Sequence, residues 1–122
     1  MNPVSVLLVD DEQGFLDAMS KRLGKRGLKV RMAPSGRQAL AMLDQEPADV
    51  VVLDQKMPDL DGLATLTLIK ERHPAVRVIM LTGHATVDSA ISGIAMGAFD
   101  YLVKPCDLDT LLDQIYASLG RK

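Results

Sequence analysis

Asp10 and Asp11 stand side by side directly after an apolar run, Asp54 closes a second run, Thr82 a third and Lys104 a fourth. If those runs are neighbouring strands, three carboxylates, a hydroxyl and an ammonium meet at one edge of a sheet. Two carboxylates about 5 Å apart repel by roughly 3 kcal/mol at an effective dielectric near 20. Unrelieved, such acids raise one another's pKa values, so the cluster calls for a cation. With oxygen ligands only, and no His or Cys among them, it suits a hard divalent ion, Mg²⁺ first and Mn²⁺ as its substitute. The backbone carbonyl of Lys56, two residues beyond Asp54, offers a further oxygen. A carboxylate can also attack phosphorus, and phosphoryl transfer depends mainly on positioning and on neutralising the equatorial oxygens. The metal, Lys104 and Thr82 would cover one such oxygen each. Asp54 is then the nucleophile, because the adjacent pair Asp10-Asp11 is better suited to metal capture.

The elements that must position these groups follow from the pattern of apolar residues. Val50-Val51-Val52-Leu53 is a run of four apolar residues, three of them β-branched, and reads as a strand buried on both faces. Residues 4–9 form a first strand of the same kind, 76–81 a fourth and 100–103 a short fifth. Residues 28–33 alternate in polarity and read as an edge strand. Between the strands, helical spacing appears from Gln13 through Leu23, with Gly24 and Gly27 as its stop. A second helix begins at a capping-box pattern, Ser35 to Gln38, and runs through Glu46. A third begins at Gly62 and ends at His73-Pro74. The fourth starts at about Thr86 or Asp88 and stops at Gly97, and the fifth follows Asp107 as N-cap.

Strict alternation with short loops implies a parallel sheet covered on both faces through right-handed crossovers. The expected fold is α/β, a flavodoxin-like (βα)5 doubly wound sheet with strand order 2-1-3-4-5. That order puts the first and third strands together in the centre and the ligand crevice at their carboxyl ends.

Bulk properties narrow the function further. A chain of 122 residues suits one domain, residues 1–122. No apolar stretch approaches the roughly 20 residues of a membrane span, and Met1-Asn2-Pro3 opens no signal peptide. The lone Cys106 excludes an internal disulfide, fits a cytoplasmic setting, and reads as a small buried hydrophobe. The net charge of −2, with both signs interspersed and aromatic content of 3%, argues against direct nucleic-acid binding. His73 reads as an exposed helix end.

As a set, Val9-Asp10-Asp11, Leu53-Asp54-x-x-Met57-Pro58, Asp61-Gly62, Leu81-Thr82-Gly83 and Asp100-Tyr101-Leu102-Val103-Lys104-Pro105 resemble the receiver domain of two-component response regulators. They span nearly the whole chain. The resemblance implies a sensor histidine kinase or phosphotransfer protein that donates phosphate to Asp54. It implies Asp10 and Asp11 in Mg²⁺ binding, and Thr82 and Lys104 in contact with the phosphoryl group. Tyr101 becomes the aromatic that changes rotamer on activation. The face made by helix four, strand five and helix five becomes the surface for an output domain, an effector protein or a homodimer. Such a domain catalyses its own phosphorylation and dephosphorylation and turns over no external substrate. Gly97-Ala98-Phe99-Asp100-Tyr101 resembles receivers attached to transcriptional output domains. Lys56 and His84 fall where receivers tune hydrolysis, and neither is a carboxylate or amide able to orient water, so a long-lived phosphoryl state is expected.

Each group also has a plainer reading. Asp10-Asp11-Glu12 would suit a helix N-terminus simply as favourable charge, and Asp54 alone could just end a strand. Three other functions compete. A small-molecule aspartyl phosphatase would use the same groups, but the chain has no cap insertion and no second acid two residues after Asp54. A flavodoxin-like cofactor carrier would need a phosphate loop where two Asp stand. An unphosphorylated pseudo-receiver acting only as an interaction module would not need the intact acid set.

Overall fold

Five strands pair into one parallel sheet, ordered β2-β1-β3-β4-β5, as the alternation predicts. The computed structural model describes residues 3–121. In chain order the elements are β1 (Ser5–Val9), α1 (Gln13–Lys25), β2 (Lys29–Ala33), α2 (Gly36–Gln45), β3 (Val50–Leu53), α3 (Gly62–Arg72), β4 (Arg77–Thr82), α4 (Val87–Ala95), β5 (Asp100–Val103) and α5 (Leu108–Ser118).

Successive side chains of a strand point to opposite faces, and here both faces are covered. Leu7, Val9, Val51, Leu53, Val78 and Met80 pack with Leu40, Leu43, Leu66 and Ile69 of α2 and α3. Val6, Leu8, Val50, Val52, Ile79 and Leu81 pack with Leu16, Leu23, Leu111 and Ile115 of α1 and α5. This double burial is why the central strands read as unbroken apolar runs. The expected edge position of β2 is observed, and its pattern of exposure is the partly polar one of a strand with one free side. Among the described residues, no helix is long and apolar enough to cross a membrane.

Several local expectations are corrected. Gly24 lies inside α1, and the helix is stopped by Gly27, whose φ of 90° is open to glycine at little cost. Ser35 caps α2 by accepting from the Gln38 N–H, but Gln38 makes no return bond, and Glu46 falls outside the helix as its C-cap. The reciprocal capping box occurs instead at α4, between Thr86 and Ser89. Asp107 is the N-cap of α5 as expected, although it makes no side-chain cap bond. The fourth strand sits one residue later than expected and so includes Thr82. Cys106 is half-buried rather than buried: it packs on the rim of the core between the sheet and α1 and α5, and its other side lines a groove. His73 is half-buried too, its Nε2 2.8 Å from Asp44 Oδ1.

Candidate functional site

Parallel pairing of β1 with β3 aligns Val9 with Leu53, which sets Asp10 and Asp54 next to each other one residue past the ladder. The Asp54 N–H donates to the Val9 carbonyl at 3.0 Å and extends that alignment into the site. Both acids are buried, Asp10 at 1% exposure and Asp54 at 4%, whereas Asp11 is exposed. Each of the three nevertheless presents an oxygen within 4.8 Å of the other two.

The cation side comes from β4 and β5. Pairing of Thr82 with Val103, and the 2.9 Å bond from the Lys104 N–H to the Thr82 carbonyl, bring both residues beside the acids. Lys104 Nζ donates to Asp10 Oδ2 at 2.6 Å and stands 3.9 Å from the centroid of the Phe15 ring. Phe15 thus adds an aromatic face to the lysine's surroundings, a role its place on the apolar stripe of α1 did not signal. Thr82 is fully buried, and its hydroxyl accepts from the His84 N–H at 3.0 Å, which leaves its own proton free to donate.

Burial raises the Asp54 carboxyl above its ordinary pKa, and the neighbouring Asp10 adds to the rise. The Thr82 hydroxyl, the Lys104 ammonium and the Gln55 N–H offset part of it. Against three carboxylates stands one close ammonium, already committed to Asp10. A divalent cation held by oxygen would complete the balance, so the donor set fits Mg²⁺ or Mn²⁺. Lys56, whose carbonyl is the remaining candidate ligand, belongs to the loop that follows Asp54, and its side chain is exposed. His84 is exposed on the loop after β4.

Tyr101 lies on β5, farther from the acids. Its hydroxyl is 2.8 Å from Ser89 Oγ, and its ring packs so closely on Gly93 that a Cβ there would stand 3.1 Å from it. Thus the sequence-derived groups Asp10, Asp11, Asp54, Thr82 and Lys104 come together, Lys56 and His84 border them, and Tyr101 is tied to α4. Ser89 and Gln55 were not anticipated. The Thr86-x-x-Ser89 spacing was the available sign for the first, with Ser standing where a capping box usually has Glu or Gln.

Beside the site a groove of about 410 Å³ runs between α1 and the loop after β5, lined by Phe15, Ala18, Met19, Arg22, Pro105 and Cys106. Burial raises the Cys106 thiol above its ordinary pKa, with Asp107 and Asp100 adding to the rise, so the thiol is kept protonated. On α4, Val87 is 76% and Ile91 64% exposed, and Ile94, Phe99 and Val103 are exposed as well.

The family model for the response regulator receiver domain matches residues 6–116. The chain is 38% identical over 114 residues to a putative NtrX-like response regulator of Rickettsia conorii, which covers 92% of this chain and 24% of that protein. It is 41% identical over 104 residues to the DNA-binding transcriptional regulator NtrC of Salmonella typhimurium, covering 85% of this chain and 22% of that one. The chain therefore spans about a quarter of the length of the curated relatives it matches. Among solved structures, the receiver domain of NtrX from Brucella abortus superimposes with a TM-score of 0.89 at 34% identity, over 96% of this chain and 99% of that one. A response regulator receiver domain protein from Clostridium thermocellum gives 0.91 at 35% identity, over 96% and 94%.

Proposed function

Because the chain belongs to the response regulator receiver domain family, we propose that it is a single receiver domain over residues 1–122 that takes a phosphoryl group onto Asp54. The donor is a phosphohistidine of a sensor histidine kinase or of a phosphotransfer protein. An Asp54 carboxylate oxygen forms the new P–O bond as the P–N bond breaks, and the histidine imidazole leaves. The observation that carries this reading is the convergence of Asp10, Asp54, Thr82 and Lys104 at the carboxyl edge of the sheet.

Each residue has a task that suits its position. Asp10, Asp11, Asp54 and the Lys56 carbonyl would hold Mg²⁺, or Mn²⁺, which when bound supplies charge neutralisation for a phosphoryl oxygen. Lys104 holds its ammonium ready beside Asp10, and the Thr82 hydroxyl, which faces the Asp54 carboxylate, can donate to a phosphoryl oxygen. Movement of Thr82 toward that oxygen alters the loop to α4 and thereby the setting of Tyr101. The exposed apolar face of α4 and β5, continued by α5, is then the surface whose readiness for an output domain, an effector or a second copy changes. Inverting a two-state equilibrium from 1:99 to 99:1 takes about 5.5 kcal/mol, which new charge-assisted bonds to the phosphoryl group can supply. The domain catalyses its own dephosphorylation, and a cytoplasmic setting suits such a kinase-coupled switch.

Incubation with acetyl phosphate and Mg²⁺, followed by intact-mass measurement, tests the reading. One added phosphoryl group in the native protein, and none in Asp54→Asn, is expected. An unmodified native protein under those conditions would overturn it in favour of an unphosphorylated interaction module.

A further inference from the structure

Gln55 and Asp61 together hold the start of α3, and Gln55 alone ties it to the site. A helix begins with N–H groups that lack intrahelical partners. In α3 the Gly62 N–H donates to the Gln55 carbonyl at 2.8 Å, and the Leu63 N–H donates to Gln55 Oε1 at 3.0 Å. The Ala64 N–H donates to the N-cap Asp61 at 2.9 Å. Gln55 therefore satisfies both donors that Asp61 leaves over, although it lies before the loop and not in it. The same residue's N–H donates to Asp54 Oδ1 at 2.8 Å.

The loop of residues 56–61 thus leaves from Gln55 and returns to it. The closure is tight: a Cβ on Gly62 would collide with the Asp54 carbonyl and stand 2.7 Å from Gln55 Cα. On the other side of Lys56, Met57 is buried in the core between the sheet and α3. Lys56 is consequently pinned at both neighbours while its own side chain is exposed.

We propose that Gln55 is a positioning residue for the divalent cation. Its side-chain oxygen holds the loop closed and so fixes the Lys56 carbonyl relative to Asp54, two groups that would hold the ion. An amide does this without adding a fourth negative charge to the three carboxylates. The inference deepens the metal part of the function proposed above and rests on it.

The test compares the native protein with Gln55→Met, which keeps length and removes the acceptor, and Gln55→Glu, which keeps an acceptor. Mg²⁺ binding is titrated by amide chemical shifts, Leu63 amide exchange reports the bond, and thermal melting checks the fold. Outer-shell partners of metal ligands typically govern affinity by tenfold or more, so Gln55→Met is expected to weaken Mg²⁺ by about tenfold. The Mg²⁺ concentration for half-maximal labelling by acetyl phosphate rises in step, while the rate at saturating Mg²⁺ is unchanged. Gln55→Glu retains Leu63 protection and binds Mg²⁺ no more weakly than the native protein. Native Mg²⁺ affinity in folded Gln55→Met, or a fall in the saturating rate alone, overturns the inference, as does a native protein that binds no Mg²⁺. A native protein that binds Mg²⁺ but takes no phosphate defeats only the phosphoacceptor reading, because the titration still reads the effect of Gln55.

Discussion

Lys104 Nζ is bonded to Asp10, at 2.6 Å, and not to Asp54. Its backbone N–H is fixed to the Thr82 carbonyl and its ammonium rests over Phe15, so backbone and side chain are each held in place. The ammonium therefore neutralises one buried acid, Asp10.

Removing that ammonium leaves Asp10 buried without a cation. Breaking a buried pair from one side typically costs about 3–5 kcal/mol, and the part-exposure of Lys104 places this case at the lower end. Lys104→Met should lower unfolding stability in urea by about 3 kcal/mol in the presence of a chelator. Saturating Mg²⁺ should restore part of it, since an ion bound only by the folded state adds about 2.7 kcal/mol at a hundred times its Kd. Urea denaturation of both proteins with and without Mg²⁺ checks the two numbers.

Asp54 makes the opposite prediction. Burial, with Asp10 adding to it, raises its folded-state pKa above the unfolded value. Between those two values the folded protein binds more protons than the unfolded one, so stability falls as pH rises through that window. Above it the ionised carboxylate is a fixed cost to the fold. Asp54→Asn should therefore raise the melting temperature at neutral pH in chelator, and the gain should vanish below the ordinary carboxylate range. Melting curves from pH 3 to 8 decide it, and an Asn variant less stable at neutral pH would contradict the argument.

The Tyr101 hydroxyl and Ser89 Oγ, 2.8 Å apart, join β5 to the first turn of α4. Ser89 Oγ also accepts from the Thr86 N–H, and Thr86 Oγ1 accepts from the Ser89 N–H, each at 3.0 Å. Ser89→Ala should cost about 0.5–2 kcal/mol, the range for a lost cap. Tyr101→Phe should cost about 1 kcal/mol, and the double variant less than the sum because the two share a bond. A double-mutant cycle in urea, with amide exchange in α4 as local readout, checks this. Strict additivity would show that the two hydroxyls act independently.

The fold and the acid cluster were legible for one physical reason. A strand buried on both faces is an unbroken apolar run, so the first polar residue after it marks the carboxyl edge, and Asp10, Asp54 and Lys104 all carry that mark. Thr82 was legible in the same way even though its strand proved to include it. What stayed hidden depends on side chains meeting across separate elements. Gln55 follows Asp54 as an ordinary polar residue, and only the return of α3 gives its amide oxygen a partner. The bond of Ser89 to Tyr101 needs α4 to lie over β5, which periodicity does not specify. Gly24 misled because glycine is tolerated inside a helix that tertiary packing supports, here through Leu16, Met19 and Leu23.

Two exposed side chains at the edge of the site are expected to set the lifetime of a phosphorylated Asp54. Lys56 follows Asp54 by two residues and His84 follows Thr82 by two, and both are open to solvent. Hydrolysis requires a water placed in line with the Asp54 phosphoryl bond, and orienting that water is best done by a carboxylate or an amide. An ammonium has no acceptor for a water proton, and a neutral imidazole has only one. Native protein labelled by acetyl phosphate should therefore lose its phosphate slowly, and Lys56→Asn and His84→Glu should each shorten its half-life. Following the decay by intact mass after removal of the donor gives all three rates. Two variants that decay no faster than the native protein would show that the water is controlled from elsewhere in the site, with Thr82 and the loop to His84 the next groups to vary.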